Sequence, residues 1–148
     1  MPSINSLLPK LVADFPTIRF EAGSEFRFSP TEQTVYYLAK GAPLLLHELS
    51  HALLGHESYS KDIDLLKMER DAWVKAQEIA PTYGVTINDD TVQNHLDSYR
   101  DWLHDRSLCP SCGATGRQTS PKAYHCDACG QDWRVNEARL CGLKRYKL

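Results

Sequence analysis

The chain has 148 residues, 42% of them hydrophobic and 24% charged, with a net charge of −2; this is a globular composition with room for one modest domain and an appendage, and it argues against disorder or low complexity. The longest uninterrupted apolar run, Ala42 to Leu46, is far too short to span a membrane, and the N-terminus lacks the charged start and long apolar core of a secretory signal, so a cytoplasmic protein without a membrane partner is expected. The charge is uneven: residues 1–106 carry 10 Lys/Arg against 16 Asp/Glu, net −6, whereas residues 107–148 carry 7 against 3, net +4.

In chain order, residues 3–14 form a candidate helix with Leu7, Leu8, Leu11 and Val12 on one face. Ile18 to Gly23, Glu25 to Phe28 and the β-branched, aromatic Thr34 to Leu38 predict a small antiparallel sheet of two or three strands, with turn chemistry at Ser29 to Gln33. Gly41-Ala-Pro43 opens a helix, because proline in the first turn gives up an N–H that has no partner there, and Gly55 ends it. Ser60 reads as the N-cap of a helix that runs to about Ala80, with Asp62 and Asp64 suited to its positive end. A further helix starts near Asp89 or Asp90, with Val92, Leu96, Tyr99 and Leu103 on one stripe. After Arg106 the periodicity stops and a cysteine module begins, so the expected domains are 1–106 and 107–148.

The chemistry concentrates in His47-Glu48-Leu-Ser-His51. Two histidines four apart on a helix lie one turn above each other, so both imidazoles can reach one ion. Glu48 stands beside them, where its carboxylate can hold a metal-activated water and take its proton during attack on a carbonyl. The helix is strongly apolar (Leu44, Leu45, Leu46, Leu49, Leu53, Leu54), and buried His and Glu need partners.

A third ligand follows from the next helix. At about 100° per residue, Glu69 falls at the centre of the stripe made by Leu65, Leu66, Ala72, Trp73, Ala76 and Ala80, while Asp64, Asp71 and Glu78 point away. A carboxylate on a core-facing stripe needs a cation or strong hydrogen bonds. Two His and one Glu make a catalytic zinc set with an open fourth position; the competing reading is a buried ion pair with Arg or Lys. Asp62 shares this face two turns away and reads as a helix cap or as the partner of a ligand's second ring nitrogen. His56 reads as a C-terminal helix cap. His56, Tyr59 and Tyr83 are candidate oxyanion donors by position only.

The run His47 to His56, with Glu69-Arg-Asp-Ala-Trp73, resembles the gluzincin clan of metallopeptidases, and most of all its ImmA/IrrE-like and minigluzincin groups; the resemblance covers roughly residues 15–80. It implies a minimal zincin of α+β class, with a small antiparallel sheet, an active-site helix, a glutamate helix and a further helix. It implies His47, His51 and Glu69 as zinc ligands, Glu48 as general base, and a peptide substrate bound by strand addition to the sheet edge. The metzincin pattern fits less well, because Leu54 stands where its glycine belongs and Glu57 where its third ligand belongs.

Cys109-Pro-Ser-Cys112-Gly and Cys126-Asp-Ala-Cys129-Gly form two knuckles separated by thirteen residues. Four thiolates close a tetrahedral, structural zinc site, and the pattern resembles a β-rich zinc ribbon whose strands come from Tyr124 and Trp133-Arg-Val135; a redox role for the pairs is the alternative. Two Zn²⁺ are therefore expected, one catalytic and one structural. Arg117, Lys122, Arg134, Arg139, Lys144, Arg145 and Lys147, with Tyr124, Trp133 and Tyr146, suggest a basic surface for nucleic acid. Cys141 is left over, either an idle thiol or a latency switch. The expected activity is zinc-dependent endopeptidase. The alternatives are a DNA-associated protease similar to the SprT group, which would need a downstream histidine such as His95 as third ligand, and a non-catalytic zinc-ribbon adaptor.

Overall fold

The computed structural model describes all 148 residues, Met1–Leu148. The fold is α+β, with four α-helices and two small sheets in the order α1 (Ile4–Asp14), β1 (Arg19–Ala22), β2 (Arg27–Ser29), β3 (Thr34–Tyr37), α2 (Ala42–Leu53), α3 (Asp62–Ile79), α4 (Asp89–Ser107), β4 (Arg117–Ser120), β5 (Ala123–His125), β6 (Asp132–Val135) and β7 (Arg145–Lys147). A 3₁₀ turn at Ala80–Tyr83 follows α3. The chain forms two compact units, Met1–Ser58 with Met68–Val92, and Tyr59–Lys67 with Gln93–Leu148; two of the three divisions fall inside helices α3 and α4, and the third in the loop before α3. No helix is long and apolar enough to cross a membrane.

In the first unit, Ser3 caps α1 by accepting from the Ser6 N–H, and Ile4, Leu7 and Leu11 form its buried face. Val12 is 51% exposed, so the stripe lies one position round from the expected one. The first sheet has strand order β1-β3-β2. It is mixed, not antiparallel as expected: β2 and β3 form an antiparallel hairpin, but β1 runs parallel to β3. The reason lies in residues 23–26. Gly23 stays on the β3 ladder through its N–H to the Tyr37 carbonyl, and its Cα lies close enough to Tyr36 that an added Cβ would sit 3.2 Å from that side chain. The chain then crosses the end of β3 and returns on its far side. β3, with Thr34 and Val35 fully buried, is the central strand that its β-branched sequence favours.

Helix α2 packs on β2 and β3, and α1 on β1. It buries Leu45, Leu46 and Leu49 together with His47, Ser50 and His51, while Leu54, beyond its end, is exposed. Along α3 from Glu69 onward, Glu69, Ala72, Trp73 and Ala76 are buried on the expected stripe and Ala80 follows them, while Leu65 and Leu66 are half-buried.

In the second unit, β4-β5-β6-β7 form an antiparallel sheet. Its core is Cys109, Tyr124, Cys126, Trp133 and Val135, with Tyr124 and Trp133 stacked at 5.6 Å between ring centroids. A buried polar knot joins this sheet to helical residues of the same unit. Arg106 Nε donates to Asp62 at 2.7 Å, its other nitrogens donate to the Asn136 and Pro121 carbonyls, and the Tyr124 hydroxyl donates to Asp62. Trp133 Nε1 donates to the Arg106 carbonyl at 2.9 Å. Asp62, 1% exposed, is thus the counter-ion of Arg106 rather than the partner of a histidine ligand.

Candidate functional site

The first site is assembled from one turn of α2 and one residue of α3. His47 Nε2 lies 2.9 Å from Glu69 Oε2, His51 Nε2 lies 3.2 Å from Glu69 Oε1, and the two Nε2 atoms are 3.2 Å apart. All three residues are buried. Three ligands on a tetrahedral zinc, at about 2.0–2.1 Å from it, are about 3.3 Å from one another. The observed triangle is within a few tenths of an ångström of that, so these residues fit a zinc ion, and Glu69 rather than His95 completes the group.

The electrostatics agree with the geometry. Burial alone would raise the Glu69 carboxyl, but the hydrogen bonds and charges of His47 and His51 reverse this and hold it at about 2. His51 is desolvated, which disfavours its charge, yet the Glu69 carboxylate keeps its pKa above the ordinary value. Glu48 goes the opposite way from Glu69. Burial and the nearby Glu69 charge push it up to about 7, opposed by His51 and by a hydrogen bond from the Phe28 backbone N–H of β2. Two carboxyls of one site are therefore displaced in opposite directions from the ordinary value.

Neighbours fix the rings. Trp73 stacks on His47 with centroids 4.2 Å apart and planes 20° from parallel. Glu69 and Trp73 are four apart on α3, so ligand and ring support come from one face. His51 Nδ1 meets His56 Nδ1 at 2.9 Å. His56 is therefore a partner of His51, a role sequence reasoning did not give it. Of the other positional candidates, the Tyr83 hydroxyl is engaged by Asp14 at 2.6 Å, and Tyr59 is 45% exposed and belongs to the second unit.

The second site is the four cysteines. Cys109 and Cys129 Sγ are 3.6 Å apart, and Cys112 and Cys126 Sγ are 3.5 Å apart. These separations are far beyond a disulfide bond of about 2.05 Å and close to the roughly 3.8 Å between thiolates on a tetrahedral zinc with bonds of about 2.3 Å. Gly113 and Gly130 follow the second cysteine of each knuckle at φ 77° and 79°. Each returns its N–H to the first cysteine's carbonyl; the left-handed backbone is the one glycine adopts without a Cβ clash. Without a cation the thiols compete for ionisation. Despite its desolvation, Cys109 is drawn down to about 6 by backbone N–H groups of Cys112 and Ser111. Cys129 accepts from the Gln131 N–H, but its sulfur neighbours push it up.

Several cations of the ribbon are engaged within it: Arg117 with Asp127, Lys122 with Glu137, Arg134 over the Tyr146 ring, and Arg145 on the Leu108 carbonyl. The basic surface read from the sequence is thus partly neutralised at home. Cys141 is exposed.

No family model matches the chain, and neither the curated proteins nor the solved structures contain a match.

Proposed function

We propose that this protein is a zinc-dependent peptidase whose reaction centre is Glu48 beside His47, His51 and Glu69. The observation that carries the proposal is the convergence of His47 Nε2, His51 Nε2 and the Glu69 carboxylate at 2.9–3.2 Å, with Glu48 the next residue after His47 on α2. Glu69 is held ionised by two imidazoles, as a metal ligand must be, while burial raises Glu48 above the ordinary carboxyl value and makes it the better proton acceptor. A site that only held a structural ion would not require a second carboxyl in this state.

A zinc ion bound by His47, His51 and Glu69 would polarise a substrate carbonyl and acidify water. Glu48 supplies the proton acceptor, its carboxylate oriented by the Phe28 N–H. Glu48 can then return that proton to the departing amine. Trp73, stacked on the His47 ring, keeps bulk water from that face of the histidine. β2 lies at the edge of the first sheet and carries the N–H that meets Glu48, so an extended peptide added along β2 would bring its carbonyl to that residue.

The decisive experiment counts zinc by elemental analysis and follows cleavage of a peptide library. Wild type should bind two zincs, and His47→Ala and Glu69→Ala one each. Glu48→Gln should keep both and lose hydrolysis. One zinc in all four proteins would end the peptidase reading.

A further inference from the structure

We infer that His56 is a positioning residue for the metal centre. It would fix the tautomer and ring angle of His51 so that the Nε2 lone pair points at the ion. The inference rests on the reading of His47, His51 and Glu69 as a zinc site, and extends it to a residue outside that triangle.

The argument begins with how α2 ends. Gly55 follows the helix in the left-handed conformation, at φ 69°. Its N–H bonds the Ala52 carbonyl at 3.2 Å, and the next N–H, that of His56, reaches back to the carbonyl of His51 at 3.0 Å. This is the paired 5→2 and 6→1 closure by which a glycine reverses the chain at a helix end. It returns residue 56 onto the turn that carries residue 51. The reversal sets the two imidazoles side by side, with ring centroids 5.1 Å apart and planes 59° apart. Their Nδ1 atoms are 2.9 Å apart. His51-Ala-Leu-Leu-Gly55-His56 is therefore one device: a ligand, the helix stop and the ligand's partner within six residues.

The chemistry then fixes the proton. His51 Nε2 faces His47 Nε2 and Glu69 at 3.2 Å. If that nitrogen is to donate a lone pair to zinc, the ring proton must sit on Nδ1. Nδ1–H then needs an acceptor, and the one at hydrogen-bond distance is His56 Nδ1, whose own proton is consequently on Nε2. A ligand histidine usually spends its second nitrogen on a carboxylate, a carbonyl or water; here a neutral imidazole takes that place. His56 is half-buried, so it joins the buried site to its margin.

The test compares His56→Ala and His56→Phe, which remove the acceptor, with His56→Gln, whose amide oxygen can replace it. Zinc affinity of the histidine site is read by competition with a chromogenic chelator, and the His51 Nδ1 proton of zinc-loaded protein by long-range ¹H–¹⁵N correlation. The alanine and phenylalanine variants should bind zinc at that site about 10- to 100-fold more weakly, with the His51 Nδ1–H signal lost to exchange with solvent. The glutamine variant should recover most of the affinity and the protected Nδ1–H signal. The four-cysteine zinc should be unaffected throughout. Wild-type affinity and an unchanged His51 Nδ1–H signal in His56→Ala would overturn the role of His56 while leaving the zinc site standing. A wild-type protein that takes up only the four-cysteine zinc would overturn both. If His56→Ala folds poorly, the contrast between phenylalanine and glutamine decides: equal affinities refute the inference.

Discussion

Glu48→Gln should stabilise the protein in a pH-dependent way when the histidine site lacks zinc. In the folded chain the Glu48 carboxyl is raised from an ordinary 4.5 to about 7, chiefly by burial. The unfolded chain carries no such penalty. Below pH 4.5 both states hold the proton and the substitution should be nearly neutral. Between 4.5 and 7 the unfolded state releases its proton while the native state keeps it, so wild-type stability falls as pH rises. Above pH 7 both are ionised and the full cost remains, up to about 3 kcal/mol for a displacement of this size. A neutral glutamine avoids that cost and can still accept the Phe28 N–H. The assay is urea denaturation of both proteins from pH 4 to 8.5. A weak chelator would strip the histidine site while elemental analysis verifies that the cysteine zinc remains. The stability difference should grow from near zero to 2–3 kcal/mol. It should shrink on zinc addition, because a nearby cation favours the ionised carboxylate. A difference that is flat with pH, or that falls as pH rises, would refute the assignment of Glu48 as a strained, desolvated carboxyl.

Asp62→Ala leaves Arg106 buried without its carboxylate and should cost about 3–5 kcal/mol in urea denaturation; Tyr124→Phe removes only one hydrogen bond of the same knot and should cost about 1 kcal/mol. Gly55→Ala meets no neighbour within 4 Å, so its cost should be the left-handed backbone alone, about 1 kcal/mol. Zinc binding at the histidine site, read by chelator competition, should be retained, because a left-handed alanine keeps the reversal that sets His56. Cys112→Ser should lower the zinc content from two to one and abolish the ordered environment of Trp133, seen as a red-shifted fluorescence component, while the zinc at His47, His51 and Glu69 remains.

Features set by short-range periodicity were legible in the sequence. The helix spans of α2, α3 and α4 follow from proline, glycine and apolar spacing. Glu69 was found because a carboxylate at the centre of an apolar stripe is anomalous, and the structure buries it at 8% exposure between His47 and His51. The knuckles were legible because thiolate spacing and the following glycines are local. Features that depend on where the chain goes next were not. The parallel pairing of β1 with β3 is decided by the crossing at residues 23–26, which no alternation pattern encodes. The Asp62–Arg106 pair joins residues 44 apart in the chain: Asp62 stood out on the apolar face of its helix, but nothing local marks Arg106 as its partner. His56 was visible as a residue after a helix-ending glycine, but its role depends on the exact reversal at Gly55 rather than on the residue type.

On the proposed reading the two candidate zinc groups differ in what their side chains do without an ion, and this sets an order of events on chelation. At the histidine site, removal of zinc leaves Glu69 hydrogen-bonded to His47 and His51 at 2.9 and 3.2 Å, and His51 still has His56. The charge of Glu69 keeps partners, so the packed core of α2 and the buried face of α3 can persist. At the cysteine site the thiols have only one another and a few backbone N–H groups, with no opposite charge among them. Four sulfurs crowd within 4.8 Å, one thiol is drawn down and another pushed up, and the surrounding core is five buried residues. A module that small draws much of its folding free energy from the metal. Increasing chelator strength should therefore empty the open histidine site first, with little loss of helical circular dichroism. Loss of the second zinc should coincide with the disappearance of slowly exchanging amides from β4 to β7. A single step, in which both zincs and all protected amides are lost together, would mean that the histidine site is no more self-sufficient than the ribbon, and that the hydrogen bonds from His47 and His51 to Glu69 do not replace the ion.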